Sequence, residues 1–303
     1  MFNNNEILDR LKFKIIYYPD PDFNQTKSLL NDYNINFWIC SPCPNYLIDE
    51  LLFNGINSNI DVISTPSTGT THIDLDYCIK NKIDVYSIKD SPNLKKITAS
   101  SEYSFLHIIN SVRKYKISNQ FLKIGYWREQ ENKLRGNEMD GTKLGVIGAG
   151  RIGSNVIRYA KAFNMEVSYY DPNVKLREDN ILKVLKIDEI FKNCDVILVS
   201  IPFNKENIKF ISNRLISLMK DESILVNTSR GEVIDEECIY DKLINSSKFI
   251  YCCDVIQNEQ DYTSNKLFQN RNNLDNLIMT PHIAGLSYQS ELKAFKYAYN
   301  FLK

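Results

Sequence analysis

The stretch that decides the fold is Leu144-Gly-Val-Ile-Gly-Ala-Gly-Arg-Ile-Gly153, which holds four of the eleven glycines of the chain. Gly148, Gly150 and Gly153 form G-x-G-x-x-G directly after an apolar run and directly before a helical pattern. The first glycine allows a tight turn, the second lets backbone amides approach a pyrophosphate, and the third lets helix and strand pack closely. A helix N-terminus adds a favourable field for the anion. The stretch therefore predicts a strand–turn–helix unit that binds a dinucleotide.

An acidic residue follows at the distance that this fingerprint requires. The apolar run 166–170 is followed by Asp171, 21 residues after Gly150. A carboxylate about 20 residues on accepts a hydrogen bond from the ribose 2′-hydroxyl. A 2′-phosphate would meet a like charge there, so the pattern favours NAD over NADP. Lys175 and Arg177 lie nearby in the sequence and weaken this preference.

Apolar runs alternate with helical patterns along most of the chain. Six runs follow from residue 144 onward and predict a doubly wound parallel sheet. An earlier alternation predicts a second parallel sheet in the first hundred residues, so the fold class is α/β with two doubly wound parallel-sheet domains. A long helix is expected over 95–115, a crossing between domains over 116–143, and a last helix over 289–303 that packs back on the first domain. The predicted strands are 14–18, 36–40, 60–65, 84–88, 144–147, 166–170, 196–201, 224–227, 249–255 and 277–280, and the predicted helices between them include 46–52, 75–81, 151–163 and 235–244.

Length, charge and cysteine usage narrow the class of protein. At about 150 residues per domain, a 303-residue chain suggests two domains. The 37 basic and 37 acidic residues cancel, which argues against a nucleic-acid partner. No segment approaches the roughly 18 apolar residues of a membrane span, and the N-terminus lacks a secretory signal. Seven unevenly spaced cysteines predict no disulfide framework and hence a cytoplasmic protein. Cys40 and Cys43 form a lone C-x-x-C, for which we expect no metal site, with a redox or metal role as the alternative.

Chemically capable side chains follow the later strands. Ligands of open parallel sheets bind outside the carboxyl ends of the strands, and His282 follows the last apolar run, where it could exchange a proton near neutral pH. Arg230 follows the run 224–227, and its planar fork matches a carboxylate. Asp254 and Glu259 lie at the end of the run 249–255. A carboxylate in contact with His282 would favour the protonated ring and fix its orientation. A structural strand-end histidine and a surface salt bridge of the arginine are the alternatives.

The other two histidines have plainer interpretations. His107 lies in the predicted long helix among Phe105, Leu106, Ile108 and Ile109, and we expect it to pack in the interior. His72 belongs to a turn between a strand and a helix. Lining of a cleft, capping and packing all remain open for it.

Five motifs in order resemble those of the D-isomer-specific 2-hydroxyacid dehydrogenases, a family that includes phosphoglycerate dehydrogenase. The resemblance covers about residues 60–286 and is specific because the order of the motifs is kept throughout. The motifs are Ser67-Thr-Gly-Thr-Thr-His-Ile-Asp74, the glycines from Gly145 to Gly153, Asn227-Thr-Ser-Arg-Gly-Glu-Val-Ile-Asp235, Asp254 with Glu259 five residues on, and Thr280-Pro-His-Ile-Ala-Gly285.

The resemblance implies a role for each matching residue. Arg230 would bind the substrate carboxylate and carbonyl, and Glu259 would pair with the acid/base His282. Thr68 and Gly69 would form the loop that binds the substrate carboxylate. Asp254 would contact the nicotinamide amide. The cofactor would be NAD, held by Gly148, Gly150, Arg151, Ile152, Gly153, Asp171, Ile201, Thr228, Ser229, Asp254 and Gly285.

The resemblance also implies an organisation and leaves alternatives open. It implies a Rossmann NAD-binding domain over 114–285, a flavodoxin-like substrate domain over 1–113 plus 286–303, and a homodimer through the NAD-binding domain. Gln260 stands where the family often has proline, so this loop is expected to differ in shape, whereas Glu259 argues against the formate dehydrogenase branch. Only 21 residues follow His282, too few for a C-terminal regulatory domain.

The substrate stays open at this stage. Lys95 and Lys96 are candidates for a substrate phosphate, but 3-phosphoglycerate and smaller hydroxy acids are not distinguished. A small-molecule 2-hydroxy or 2-oxo acid is the expected partner. The rival interpretation is an NAD-sensing, non-enzymatic interaction protein of the corepressor kind on the same scaffold.

Overall fold

The computed structural model describes residues 16–18, 20–56, 59–176 and 181–301. The chain divides into two compact units, Met1–Ser91 with Ala294–Lys303, and Pro92–Lys293. In the described part of the chain, no helix combines the length and the apolar character needed to cross a membrane.

The first unit holds a parallel sheet with strand order β1-β2-β3. Val62 pairs with Phe37 on one side and with Asp84 on the other. Residues from both strands and helices, including Ile48, Leu52, Ile63 and Cys78, are fully buried in its core. The elements are α1 (Phe23–Asp32), β1 (Phe37–Ile39), α2 (Glu50–Phe53), β2 (Val62–Thr65), α3 (Leu75–Lys80) and β3 (Asp84–Ser87).

The second unit is built on a seven-stranded parallel sheet with strand order β10-β9-β8-β7-β4-β5-β6. Successive strand residues enter apolar clusters on opposite faces, so helices cover both faces, as an all-parallel sheet requires. The strands are β4 (Lys143–Ile147), β5 (Glu166–Tyr170), β6 (Leu182–Lys183), β7 (Val196–Val199), β8 (Ile224–Asn227), β9 (Ile250–Cys253) and β10 (Leu277–Met279). The helices are α4 (Ala99–Val112), α5 (Tyr115–Lys123), α6 (Glu131–Leu134), α7 (Arg151–Ala162), α8 (Ile187–Asn193), α9 (Asn213–Ile216), α10 (Glu236–Asn245) and α11 (Lys266–Asn270).

The strand order fixes where ligands of the second unit bind. The order reverses between β4 and β7, which are direct neighbours. Such a reversal is a switch point, where a crevice opens at the carboxyl ends of the strands. The loops after β4, β7, β8, β9 and β10 all leave this edge of the sheet.

The α/β fold with two parallel sheets is confirmed, with three differences in detail. The second sheet has seven strands where six were predicted, because the two-residue β6 is too short to leave an apolar pattern. The predicted crossing 116–143 contains the helices α5 and α6, and α5 has half-buried residues but no fully buried one. Of the predicted strand 14–18, residues 14 and 15 lie outside the described residues, and 16–18 are not in a strand.

The last helix, α12 (Tyr288–Asn300), begins in the second unit and continues into the first. Within the first unit, the Ser64 hydroxyl donates to the Ala298 carbonyl at 2.9 Å. The described end of the chain therefore contacts strand β2 within the first unit. The domain boundaries at 113 and 286 stay a prediction. The described helix α4 lies in the second unit, because Phe105, Ile108 and Val112 pack in the same apolar cluster as strands β4 and β7.

Candidate active site

The glycine turn after β4 has the geometry that its sequence predicts. Gly148 has φ +90°, and a Cβ there would lie 2.5 Å from the Ser200 carbonyl oxygen. A Cβ on Gly153 would lie 2.0 Å from the Gly148 carbonyl oxygen, so the helix start packs against the turn only without a side chain. At Gly150, by contrast, no described atom beyond its own chain neighbours lies within 4 Å of the Cβ position. Gly150 is the N-cap of α7, and the amides of the first helical turn have no intrahelical acceptor, so the turn fits a pyrophosphate.

Asp171 lies at the end of β5, beside this turn. One carboxylate oxygen accepts from the Ala149 amide at 2.8 Å, and the other accepts from the amides of Asn173 and Val174 at 2.8 and 2.9 Å. The side chain is thereby fixed next to the glycine turn, where the fingerprint requires the ribose-binding acid. Lys175 is exposed, and Arg177 lies outside the described residues.

The remaining predicted cofactor residues follow the strands of the same edge. The Arg151 guanidinium donates to the Ile97 carbonyl at 2.6 Å, and burial lowers its pKa. Ile152 and Ile201 are half-buried. Thr228 is buried, and its hydroxyl shares a hydrogen bond of 2.6 Å with the Ser104 hydroxyl. Gly285 is exposed, and packing does not demand a glycine there, since a Cβ would have its nearest contact at 3.8 Å.

Glu259 and His282 are in contact, as the family resemblance implies. The His282 Nδ1 lies 2.6 Å from a Glu259 carboxylate oxygen, and both side chains are about one-third exposed. His282 adopts a left-handed φ of +53°, a conformation that a non-glycine residue holds only when its surroundings enforce it. A carboxylate at this distance favours the protonated imidazole and fixes the ring. The pair can therefore hold and deliver a proton.

Asp254 organises the backbone that carries His282. It is buried, with 1% of its surface exposed, and burial raises the pKa of its carboxyl. The carboxylate accepts from the Thr280 hydroxyl at 2.6 Å and from the amides of Ile283 and Ala284 at 2.9 and 2.7 Å. Its own carbonyl accepts from the His282 amide at 2.8 Å. Asp254 thus binds the chain before and after His282, and these contacts account for the left-handed conformation of His282.

The sequence motifs contain Thr280 and Asn227 without assigning them a role. Thr280 links the end of β10 to Asp254. Asn227 ends β8 and braces the Arg230 segment: its amide donates to the Arg230 carbonyl at 2.9 Å, and its side-chain oxygen accepts from the Ser229 amide and hydroxyl at 3.0 and 2.7 Å. A hydroxyl or amide residue at the last position of a buried strand is the signal that could have identified both.

Arg230 is half-buried directly after this brace. Its guanidinium donates to the Ser229 carbonyl at 2.7 Å. The guanidinium carries five N–H donors, so others remain that can bind a ligand. Because β8, β9 and β10 are adjacent parallel strands, Arg230, Glu259 and His282 follow strands that end at one edge. The structure therefore assembles the predicted catalytic residues of the second unit on neighbouring loops.

The predicted substrate loop belongs to the first unit. Thr68 is exposed and Gly69 half-buried, and the Gly69 amide donates to the Ser67 hydroxyl at 3.1 Å. His72 is buried, with its Nε2 at 3.1 Å from the Thr65 hydroxyl, a packing position within this unit. Cys40 is also buried, and burial raises the pKa of its thiol to about 12. A thiol of that kind is not a reactive one.

His107 is buried in α4, as predicted. Only 2% of its surface is exposed, its ring stacks edge-on against Tyr103, and burial lowers its pKa to about 4. Its Nε2 lies 3.3 Å from the Thr280 hydroxyl, a contact that the sequence does not indicate. Lys95 and Lys96 lie in the 3-10 turn Leu94–Lys96, and the Lys96 carbonyl accepts from the Lys293 ammonium at 2.8 Å.

The glycine turn, the strand-end aspartate beside it and the contact between Glu259 and His282 lie on one parallel sheet, an arrangement typical of a dinucleotide-binding domain of the oxidoreductase class. Comparison with known families specifies the class further. Residues 105–284 match the family model described as "D-isomer specific 2-hydroxyacid dehydrogenase, NAD binding domain". The chain belongs to this family, and this part of it is the NAD-binding domain.

Relatives and solved structures agree with this assignment. D-3-phosphoglycerate dehydrogenase of Archaeoglobus fulgidus is 30% identical over 77% of this chain, which spans 43% of that protein. Glyoxylate reductase of Pyrococcus furiosus is 26% identical over 80% of this chain and 71% of that protein. D-lactate dehydrogenase of Aquifex aeolicus, solved with NAD and lactic acid, is 29% identical, with a TM-score of 0.76 over 98% of this chain and 91% of that one. The chain thus spans less than half of the first relative and most of the other two.

Proposed function

We propose that the protein is an NAD-dependent oxidoreductase that interconverts a D-2-hydroxy acid and its 2-oxo acid. The observation that carries the proposal is the 2.6 Å contact of Glu259 with His282, on the same sheet edge as the glycine turn. An acid/base pair beside a nicotinamide site is what reduction of a carbonyl to an alcohol needs.

The residues of the second unit divide the work in this proposal. When bound, NAD supplies or takes up the hydride. Arg230 binds the carboxylate of the acid and polarises its carbonyl, because the guanidinium fork offers two parallel donors. His282 donates a proton from Nε2, the ring nitrogen that Glu259 does not contact, to the oxygen that becomes the hydroxyl. In the oxidation direction, the same nitrogen accepts the proton.

The cofactor residues hold the reacting groups in place. Gly148, Gly150, Gly153 and the start of α7 bind the pyrophosphate, and Asp171 binds the ribose. We extend cofactor contacts to Arg151, Ile152, Ile201, Thr228, Ser229, Asp254 and Gly285, and substrate-carboxylate contacts to Thr68 and Gly69 of the first unit. Much of the rate gain in such a reaction comes from this orientation.

The substrate class is a 2-oxo acid, and its identity is the finer question. The relatives' names include phosphoglycerate, glyoxylate and hydroxypyruvate, which share the 2-oxo or 2-hydroxy acid group. A phosphorylated substrate would need cations beyond Arg230, and Lys95 and Lys96 are the residues proposed for it.

The test is reduction of a panel of 2-oxo acids with NADH, followed by absorbance. The panel contains glyoxylate, pyruvate, hydroxypyruvate and phosphohydroxypyruvate. Reduction of at least one acid to the D-isomer is the expected result. If NADH binds tightly but no acid is reduced, the enzyme proposal fails, and the NAD-sensing interaction protein becomes the better interpretation. If only the phosphorylated acid reacts, Lys95→Ala and Lys96→Ala should raise its KM.

We also propose a homodimer through the NAD-binding domain. Supporting this, one short stretch of the second unit exposes a series of large apolar side chains, namely Tyr115, Leu122, Ile124, Tyr126 and Trp127. Trp127→Glu should convert a dimer into a monomer in light scattering coupled to size exclusion. Ile79→Glu, at a similarly exposed residue of the first unit, is the matched control and should stay dimeric. A monomeric wild type contradicts this proposal.

A cytoplasmic location fits the cysteines. No disulfide joins any of the seven, all of which lie in the described residues, and free thiols are typical of a reducing compartment.

A further inference from the structure

Glu236 is a buried acid to which the sequence gives no role. It is the first residue of α10 and only 6% of its surface is exposed. One carboxylate oxygen accepts from the Gln257 amide at 2.8 Å, and the other accepts from the Asn265 side-chain amide at 2.7 Å. These two partners lie on either side of Glu259 in the sequence. The carboxylate therefore binds both ends of the segment 257–265, which carries Glu259.

This segment has little regular structure of its own. Asn258 is left-handed with φ +54°, and the 3-10 turn Glu259–Ser264 is interrupted by a non-helical residue, Asp261. Glu259 itself has one further backbone contact, a hydrogen bond of 3.3 Å from the Ile256 amide. The Asn265 side-chain amide also donates to the Gln257 carbonyl at 3.2 Å and joins the two ends of the segment. The direction of Glu259 toward His282 therefore depends on the contacts made at these two ends.

The same segment packs against the loop that carries Arg230. The Gln257 side-chain amide donates to the Ile234 carbonyl at 2.6 Å, and the Asn258 amide donates to the Glu232 carboxylate at 3.3 Å. A Cβ on Gly231 would lie 1.9 Å from the Ile256 carbonyl carbon, so the two backbones touch. Glu236, the first residue of α10, joins the two backbones at the end of this contact.

We propose that Glu236 is a positioning residue that fixes Glu259, and through it His282, relative to Arg230. The proposal rests on the proposed function, because it assigns a second support to the acid/base pair of that reaction. Glu236 acts only through Gln257 and Asn265 and contacts none of the reacting groups.

The chemistry of the two contacts requires a carboxylate. Both oxygens of Glu236 act as acceptors, and both partners are N–H donors. The Asn265 side-chain oxygen is already occupied, since it accepts from the amides of Leu267 and Phe268 at 3.0 and 3.2 Å and so caps α11. Asn265 therefore cannot turn its amide around without losing that cap. A glutamine in place of Glu236 would present an NH₂ group to the NH₂ group of Asn265.

The charge of Glu236 gives a second way to detect its influence on the Glu259–His282 pair. Burial raises the pKa of Glu236 to about 7, so its charge changes near neutral pH. The titratable groups that face it are Glu232, Glu259, and Tyr251 and Cys253 of β9. An ionised Glu236 favours the protonated form of the neighbouring Glu259–His282 pair. Removal of this charge should move the alkaline limb of the pH profile for reduction to lower pH.

The test is a double-mutant cycle of Glu236→Gln and Asn265→Asp. Glu236→Gln should lower kcat for 2-oxo acid reduction about ten-fold or more, because small misplacements of catalytic groups are costly, with NADH affinity unchanged. Asn265→Asp alone places two carboxylates face to face and should also lose activity. In the double variant, the introduced aspartate keeps the cap with one oxygen, and its other oxygen accepts from the amide of the introduced glutamine. The double variant still lacks the bond of 3.2 Å that the Asn265 side-chain amide donates to the Gln257 carbonyl, so recovery should be partial. Its kcat should nevertheless exceed that of either single variant, a coupling expected only of residues in direct contact.

Glu237→Gln is the matched control, because Glu237 is the next residue of α10 and its exposed carboxylate pairs with Lys266 at 2.9 Å. It should leave kcat and the pH profile unchanged. Wild-type kcat in Glu236→Gln overturns the inference. So does a lowered kcat with an unmoved alkaline limb and no recovery in the double variant, the pattern of a merely structural defect. If Glu236→Gln loses NADH binding, the double variant is measured for both NADH binding and turnover. Recovery of NADH binding without recovery of turnover overturns the inference. An inactive wild type that still binds NADH is a different result, the failure of the proposed function.

Discussion

Asp171 follows β5 and Asp254 follows β9, so both lie at strand ends of the same sheet. Their carboxylates accept the same number of hydrogen bonds but stabilise different parts of the chain. Each carboxylate is buried and accepts three hydrogen bonds from the protein. Two of the three donors to Asp171 are the amides two and three residues further on, and the third is in the glycine turn of the neighbouring strand. All three donors to Asp254 lie 26 to 30 residues away, on the loop after β10.

The difference separates a local turn from a long-range clamp. Asp171 completes a turn that its own segment largely determines, and it contacts the glycine turn after β4. Asp254 determines the conformation of a loop that cannot hold itself, since His282 needs a left-handed backbone. We therefore expect changes around Asp254 to affect turnover, and changes at Asp171 to affect the choice of cofactor.

The largest effect is expected at His282, the residue that the Asp254 clamp presents. His282→Ala should lower kcat for 2-oxo acid reduction by about 10²- to 10⁴-fold, because the proton donor is lost. NADH affinity, measured by fluorescence titration, should change little. Equal losses in kcat and in NADH affinity would contradict the expectation that the region around Asp254 affects turnover and not cofactor binding.

His107 extends the clamp into the core, because its Nε2 lies 3.3 Å from the Thr280 hydroxyl that donates to Asp254. Burial lowers its pKa from 6.5 to about 4, so the unfolded chain binds the proton first as the pH falls. The contribution of His107 to stability is therefore fully present above pH 6.5 and is lost as the pH falls toward 4. A shift of this size corresponds to about 3 kcal/mol.

His107→Leu should remove this part of the pH dependence, measured as the free energy of unfolding in urea between pH 4 and 7. Tyr103→Phe keeps the ring that packs on His107 and should retain the wild-type slope. The kcat of His107→Leu should fall far less than that of His282→Ala. An identical slope in wild type and His107→Leu would contradict the assignment of a buried neutral imidazole.

The contrast between the aspartates also marks what could be predicted from the sequence. The glycine turn, Asp171 and nine of the ten strands in the described residues were predictable because apolar periodicity and short spacings determine them locally. The contact between Glu259 and His282 was expected only by resemblance, and the roles of Thr280, His107 and Glu236 were missed. Those roles depend on which strands become neighbours, and a hydrogen bond across 21 to 173 residues leaves no pattern in a single sequence.

The same substitution at the two aspartates tests the comparison directly. Asp254→Asn replaces one acceptor oxygen with an NH₂ group that opposes Thr280 or the amides of the His282 loop. The loop should loosen, and kcat should fall about 10- to 100-fold, more than NADH affinity does. Asp171→Asn, the matched variant, should leave kcat at saturating NADH nearly unchanged. If both variants lose kcat equally, the two carboxylates do not differ in the way proposed.

The smallest effect concerns cofactor choice at Asp171. Asparagine keeps a side-chain oxygen for the amides of Asn173 and Val174 and loses only the acceptor of the Ala149 amide, so the turn after β5 should survive the change. The lost negative charge no longer repels a 2′-phosphate, and the ratio of NADPH to NADH dissociation constants should fall about ten-fold, the worth of one charge-assisted hydrogen bond. Lys175→Ala removes an exposed cation nearby and should move this ratio in the opposite direction. An unchanged ratio in Asp171→Asn would mean that the carboxylate only closes the turn, and the cofactor preference would then have to come from another residue.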